Sequence, residues 1–354
     1  MNNINRIKQA LSEQGLDAML ITEPANRLFA TGFQSSAGAL LVTKSGAWFY
    51  TDSRYIEAAK AVIKDVDVLQ TTVESPYTEQ IKALLTEHGI SSIGFEDSTL
   101  TYAEYLNWKR KLKVKMIRAK KLISDLRMVK SADDLNAMKK AQRVAEKSFN
   151  ELLPVISTDM TEKDVATELL YNFLKNGADD KSFDIIALSG PKSSMPHGVP
   201  GNVKIGKGFL TIDFGVRCGG WCSDTTRTLC VGKPDDKMIN VYDTVLKAQL
   251  AGIKKVRAGA KGCDVYAEAM AVIENAGYGE FFGHGFGHGI GLEVHEAPSA
   301  AESSKDTLPA GAVISAEPGI YLPGRYGVRI EDVLYVTENG SENLTNLTKK
   351  LIIL

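Results

Sequence analysis

Over the first third of the chain, short apolar runs alternate with segments of helical period. DAMLIT, GALLVT, AWFYT, VDVLQ, SSIGF and KVKMI each have the length and the β-branched or aromatic content of a strand. The opening MNNINRIKQALSEQGLDAML sets Ile4, Ile7 and Leu11 on one helical face, and Gly15 is a natural stop. A second helix is expected from Tyr77 to His88, where a cationic side chain before Gly89 suits the end of the helix dipole. Together these predict a mixed sheet with helices on its faces over residues 1–118. The basic segment 119–130 reads as a crossover between domains. Beyond it a long helix starts near Ser131, with Asp134 as capping-box partner, and another near Thr161, with Asp164 in the same place. From about Ile185 strands dominate, interrupted by helices expected over Met238–Ala258 and Asp264–Ala276.

A chain of 354 residues is long for one core, and two domains are expected, 1–122 and 123–354. The formal charge of −1 carries no nucleic-acid footprint, so no nucleic-acid partner is expected. No apolar run approaches the length that spans a bilayer, so no membrane partner is expected either. The opening segment is not a secretory signal, which points to the cytoplasm. The four cysteines, Cys218, Cys222, Cys230 and Cys263, make neither a CxxC metal pattern nor a disulfide framework. They read as small buried hydrophobes.

The candidate chemistry lies in the last two-fifths of the chain. LTIDFGVRCGGWCSDTTRT contains Asp213 and Asp224 on either side of a hairpin that turns at Gly219-Gly220. That turn puts Asp224 opposite Gly215. Asp213, two residues from Gly215, then shares a face with Asp224. Acids beside a turn are often only solvated. Asp213, Glu317 in VISAEPGI and Glu331 in GVRIED instead sit in apolar runs, where a carboxylate needs partners or a metal. Three of the five histidines, His284, His288 and His295, fall within the glycine-rich stretch 283–295, a density that points to a site. Asp213, Asp224, His288, Glu317 and Glu331 form a suitable ligand set for two divalent cations with bridging oxygens. Two metals about 3.5–4 Å apart can hold a hydroxide and polarise a carbonyl at once, the layout of a metal-dependent hydrolase.

These segments closely resemble the creatinase/prolidase/methionine-aminopeptidase superfamily of "pita-bread" metallopeptidases, and within it the Xaa-Pro peptidases, prolidase and aminopeptidase P. SFDIIALSGPKSSMPHGVP is similar to the family's run into its first active-site histidine, matched here by His197. DFG followed by SDTTRT resembles the aspartate ligand pair, GHGFGHGIGLEVHEAP the histidine segment with His288 at the metal position, and EPGIYLPGRYGVRIED the glutamate segment. The closing TKKLIIL resembles the family's usual ending. NRLFATGF and YTDSRYIEAA resemble the amino-terminal domain less strongly.

The resemblance implies an α+β fold, a pita-bread catalytic domain with a smaller α/β creatinase-like amino-terminal domain. It implies cleavage between an amino-terminal residue and a following proline, in dipeptides or longer peptides, by a metal-bridging hydroxide. Asp213 would chelate one metal and His288 with Glu317 the other, with Asp224 and Glu331 contributing and Glu331 suited to a bridge. Glu317 would shuttle a proton to the leaving amine. His284 and His295 would donate to substrate and oxyanion, and His197 would lie near the proline nitrogen. Arg329, two residues before Glu331, would orient a ligand carboxylate. Oxygen-rich ligation with one imidazole favours Mn²⁺ or Co²⁺, with Zn²⁺ or Fe²⁺ also compatible. A homodimer is expected, as relatives commonly pair through the amino-terminal domain.

Dipeptidase and aminopeptidase are not separated at this level. Some prolidases carry an arginine shortly after the HE of the histidine segment, where this chain has Ser299. Arg325, in the loop 321–327, is the candidate substitute. Asp180 stands where many relatives have glycine, with little expected consequence. A methionine aminopeptidase shares the five ligands but usually lacks the histidine matched by His284 and the separate amino-terminal domain. A metal-free creatinase-like hydrolase or binding protein would typically have lost ligands that are all present here.

Overall fold

The computed structural model describes residues 2–354, and the chain divides into two compact units, Met1–Arg127 and Met128–Leu354. The division falls inside the basic segment 119–130, at the end of a helix, Lys120–Met128, whereas 122/123 was expected. Hydrogen bonds tie that helix to the first unit, among them Lys120 N–H to Asp97 Oδ1 at 3.0 Å. The carbonyl of Leu126 accepts from Arg6, and Asn26 accepts from Arg127 at 2.7 Å.

In the first unit the six apolar runs form strands β1 (Ala18–Ile21), β2 (Ala39–Thr43), β3 (Ala47–Thr51), β4 (Asp67–Gln70), β5 (Ser92–Phe95) and β6 (Lys115–Arg118). They build one sheet in the order β4-β3-β2-β1-β5-β6. The β1–β2 and β2–β3 pairs are antiparallel, whereas β3–β4, β1–β5 and β5–β6 are parallel. Helices supply the crossovers, as parallel pairs require. The opening helix, Asn3–Glu13, buries Ile4, Ile7, Ala10 and Leu11. The helix Tyr77–Glu87 ends at His88, and Gly89 follows with φ 64°.

The second unit has helices Ala132–Leu152, Glu162–Lys175, Asp236–Lys255 and Gly262–Asn275. The first two start on the expected capping boxes, Ser131 with Asp134 and Thr161 with Asp164. Its strands are β7 (Asp180–Lys181), β8 (Ile186–Ser189), β9 (Gly208–Phe214), β10 (Val216–Cys218), β11 (Trp221–Cys222), β12 (Thr225–Val231), β13 (Gly287–Gly289), β14 (Glu296–Ala300), β15 (Val313–Ala316), β16 (Gly319–Leu322), β17 (Tyr326–Arg329), β18 (Asp332–Val336) and β19 (Ser341–Asn343). They form sheets β12-β9-β8, β14-β13-β15-β18-β19 and β11-β10-β7, with the hairpin β16-β17.

The glycine pair is the turn of the β10–β11 hairpin. Gly219 and Gly220 both have positive φ, 57° and 85°, the conformation that a two-residue hairpin turn demands and that glycine adopts at little cost. The turn fixes the register beyond it, with Arg217 opposite Cys222 and Asp213 opposite Thr226. On one face of β9, Leu210, Ile212 and Phe214 enter a core with Phe149, Leu169 and Phe173. Phe214 stacks on Phe149 with centroids 4.9 Å apart, so Asp213 is presented on the opposite face. Among the described residues no helix is long and apolar enough to cross a membrane.

Candidate metal centre

Loop and strand geometry brings five residues from separate segments together. Asp213 is the penultimate residue of β9, and Asp224 stands just before β12. His288 is central in β13, Glu317 follows β15, and Glu331 lies between β17 and β18. Only Asp213 and His288 are inside strands; the other acids sit at strand ends, not within the apolar runs themselves. Asp224, His288 and Glu331 each offer a ligand atom within 4.8 Å of one another. His288 Nε2 lies 3.1 Å from Glu317 Oε1 and 3.7 Å from Asp224 Oδ2. Its Nδ1 donates to the Gly289 carbonyl at 3.0 Å. That bond orients the ring and leaves Nε2 for a cation.

Asp213, Asp224 and Glu331 are 9%, 4% and 1% exposed, and each keeps one oxygen with no hydrogen-bond partner: Asp213 Oδ1, Asp224 Oδ1 and Glu331 Oε1. Buried carboxylate oxygens without donors are costly. Burial, then the neighbouring carboxylates Asp213 and Glu317, push the Asp224 carboxyl well above its ordinary value. Glu331 moves the same way, from burial first and then Asp224 and Glu317. Burial opposes ionisation of Glu317 as well, but the hydrogen bond and charge of His288 outweigh it and hold Glu317 at about 2. Divalent cations would satisfy the unpaired oxygens and the mutual repulsion together, so the donor set fits metal ions.

Around the cluster a polar frame locks the ligands. Arg329, 4% exposed, donates to Asp213 Oδ2 at 2.6 Å, to Thr226 Oγ1 at 3.0 Å and to the Tyr321 hydroxyl at 2.8 Å. The carboxylate it touches is that of Asp213, across the sheet, rather than that of its near neighbour Glu331. Thr226 Oγ1 donates to Glu331 Oε2 at 2.8 Å. Ser315 Oγ accepts from the His288 backbone N–H and donates to Glu317 Oε1, both at 3.0 Å. Sequence reasoning passed over Thr226, Ser315 and Tyr321. Thr226 and Ser315 each stand two positions from a ligand, the spacing that shares a strand face. Tyr321 reaches Arg329 through the β16–β17 pairing and carries no comparable signal.

The remaining candidates surround the same cavity. His284 Nδ1 donates to the Gly285 carbonyl at 2.8 Å, which leaves Nε2 to accept from the Tyr321 hydroxyl at 2.8 Å. Both ring nitrogens are thereby engaged, so donation to a substrate requires exchange of one partner. Burial lowers the His284 pKa, despite the opposing charge of Glu317. His295 packs edge-on against His288 at 4.3 Å between centroids, and its pKa is lowered by burial and then by the neighbouring His288. A cavity of about 850 Å³ is lined by Asp213, Asp224, His288 and Glu317 together with His197, His284, His295 and Arg329. Ser299 also lines it, whereas Arg325 does not and sits in the β16–β17 turn. The four cysteines are free thiols. Burial raises the Cys222 thiol to about 11, and its Sγ lies against the Leu292 carbonyl at 3.8 Å.

Two family models match the chain. Metallopeptidase family M24 matches residues 136–338, and the Creatinase/Prolidase N-terminal domain matches residues 3–129. An Xaa-Pro dipeptidase of Pyrococcus horikoshii is 34% identical over 352 residues, covering 99% of this chain and 98% of that protein. Among solved structures, the Xaa-Pro dipeptidase from Bacillus anthracis superposes with a TM-score of 0.95 at 40% identity, covering 99% of both chains. The X-Pro aminopeptidase from Thermotoga maritima gives 0.93 at 34% identity, covering 100% of both. The α+β architecture is thus the pita-bread fold behind a creatinase-type domain. This chain belongs to metallopeptidase family M24 and carries the creatinase/prolidase amino-terminal domain.

Proposed function

We propose that this protein is a metal-dependent exopeptidase that cleaves the bond between an amino-terminal residue and a following proline. Asp213, Asp224, His288, Glu317 and Glu331 hold two divalent cations, with Mn²⁺ the favoured ion. The observation that carries the reading is the set of unpaired, buried oxygens on Asp213, Asp224 and Glu331 beside His288 Nε2. Its proline specificity is supported by the Xaa-Pro names of the relatives.

When bound, such ions supply an ionised water at neutral pH and polarise the scissile carbonyl. Glu317, at the wall of the cavity and anchored by Ser315, takes the proton and passes it to the leaving nitrogen. The proline nitrogen leaves as a secondary amine once it has received that proton. His295 donates to the developing oxyanion, with His284 turning its Nε2 from Tyr321 toward substrate. His197 contacts the substrate near the proline. Arg329 keeps Asp213 aimed at its ion. A homodimer and a cytoplasmic location belong to the same reading.

Chelator-stripped protein is expected not to cleave Ala-Pro-Leu and to regain cleavage with Mn²⁺. Ala-Ala-Leu is expected to remain a poor substrate. Equal cleavage of both peptides, or undiminished cleavage after stripping, would contradict the proposal.

A further inference from the structure

The cavity is longer than the metal centre needs. From Asp213 it crosses to Ile186, its partner on β8, and continues onto the helix Glu162–Lys175. Lys163, Ala166, Thr167 and Leu170 line it from that helix, at the three- and four-residue spacing of a single helical face. From Lys163 to Leu170 that face is about 10 Å long. The helix is pinned at its far end, where Glu162 Oε1 accepts from the Ser189 backbone N–H at 2.9 Å. Ser189 lies three residues along β8 from Ile186, so Lys163 stands about 10 Å from the level of Asp213. An extended peptide covers about 3.3 Å per residue, and the wall therefore accommodates residues beyond a dipeptide. At an amino-terminal scissile bond the substrate can continue only past the proline.

The chemistry of the lining agrees. A free proline carboxylate close to the metals would be held most firmly by an uncommitted cation. Arg329 is occupied by Asp213, Thr226 and Tyr321. Lys181 is paired with Asp184 at 2.5 Å. The remaining lysine, Lys163, is exposed and at the distal end. Along the helix toward that end the lining offers Leu170 and Ala166, a surface for an apolar side chain.

We infer that this helical wall is the binding surface for the residue after proline. The enzyme then prefers Xaa-Pro peptides of three or more residues, with an apolar third residue, over Xaa-Pro dipeptides. The inference rests on the peptidase reading proposed above. It is tested with the Mn²⁺-loaded protein on Ala-Pro, Ala-Pro-Gly and Ala-Pro-Leu, and with the variants Thr167→Trp and Thr167→Val. Thr167 is exposed on the wall, so the bulky variant obstructs the surface without entering the core. kcat/KM is expected to rise from Ala-Pro to Ala-Pro-Gly to Ala-Pro-Leu, with about tenfold or more between the extremes. Thr167→Trp is expected to remove most of the advantage of Ala-Pro-Leu over Ala-Pro, and Thr167→Val to preserve it. Ala-Pro cleaved as well as Ala-Pro-Leu, or Thr167→Trp lowering both substrates alike, would overturn the inference while leaving the peptidase reading intact. Cleavage of none of the three would instead sink that reading and the inference with it.

Discussion

Arg329 is the side chain on which the geometry of the proposed metal centre most depends. Its planar guanidinium serves Asp213, Thr226 and Tyr321 at once, and Tyr321 continues the chain to His284. Lysine supplies the charge but not the fork. Arg329→Lys is therefore expected to weaken metal affinity or activity by about 10–100-fold, the usual cost of losing a partner behind a metal ligand. Titration of Mn²⁺ into the stripped variant and the parent measures it; equal affinity and equal turnover would show that the three bonds are dispensable. Ser315 and Thr226 act on a smaller scale, each fixing one oxygen of a ligand carboxylate.

At the scale of elements, the glycine-rich segment is a close backbone approach. A Cβ on Gly287 would stand 2.0 Å from the Ser315 carbonyl oxygen, and Ser315 is the residue that links His288 to Glu317. Gly287→Ala is expected to push β13 from β15, lower the unfolding midpoint and cut metal binding together. Thermal unfolding and metal content of the purified variant check this, and a variant with native values in both would refute it. Much of this level was legible beforehand. The six strands of the first unit follow their apolar runs, and both capping boxes start helices where Ser131 and Thr161 stand. The Gly219-Gly220 turn carried the pairing that faces Asp213 toward Asp224, because a two-residue turn dictates register. What spacing did not disclose was contact at long range. Arg329 was expected to orient a carboxylate that spacing did not single out, and its partner proves to be Asp213 on β9, 116 positions away. Arg325 was a candidate for the cavity by charge alone, and the β16–β17 turn carries it elsewhere.

For the whole molecule, burial has raised several acids that ionise only in alkali. Cys222 is held at about 11 by burial, and Tyr242 and Tyr321 at about 12, also by burial first. Each is neutral in the folded protein at a pH where the unfolded chain would already have lost the proton. Their contribution to stability is thus complete below about pH 9 for the thiol and about pH 10 for the phenols, and disappears as pH climbs through 11 and 12. Urea unfolding at pH 8, 10 and 11 is expected to show a falling midpoint, and an unchanged midpoint at pH 11 would contradict the burial of these groups. Five side chains from five segments of the second unit are proposed to assemble one two-metal centre. Its most direct test is calorimetric titration of Mn²⁺ into chelator-stripped protein, beside Asp224→Asn and Glu331→Gln. Two ions per chain are expected for the parent, with loss of at least one in each variant. No more than one ion in the parent, or two retained in both variants, would contradict it.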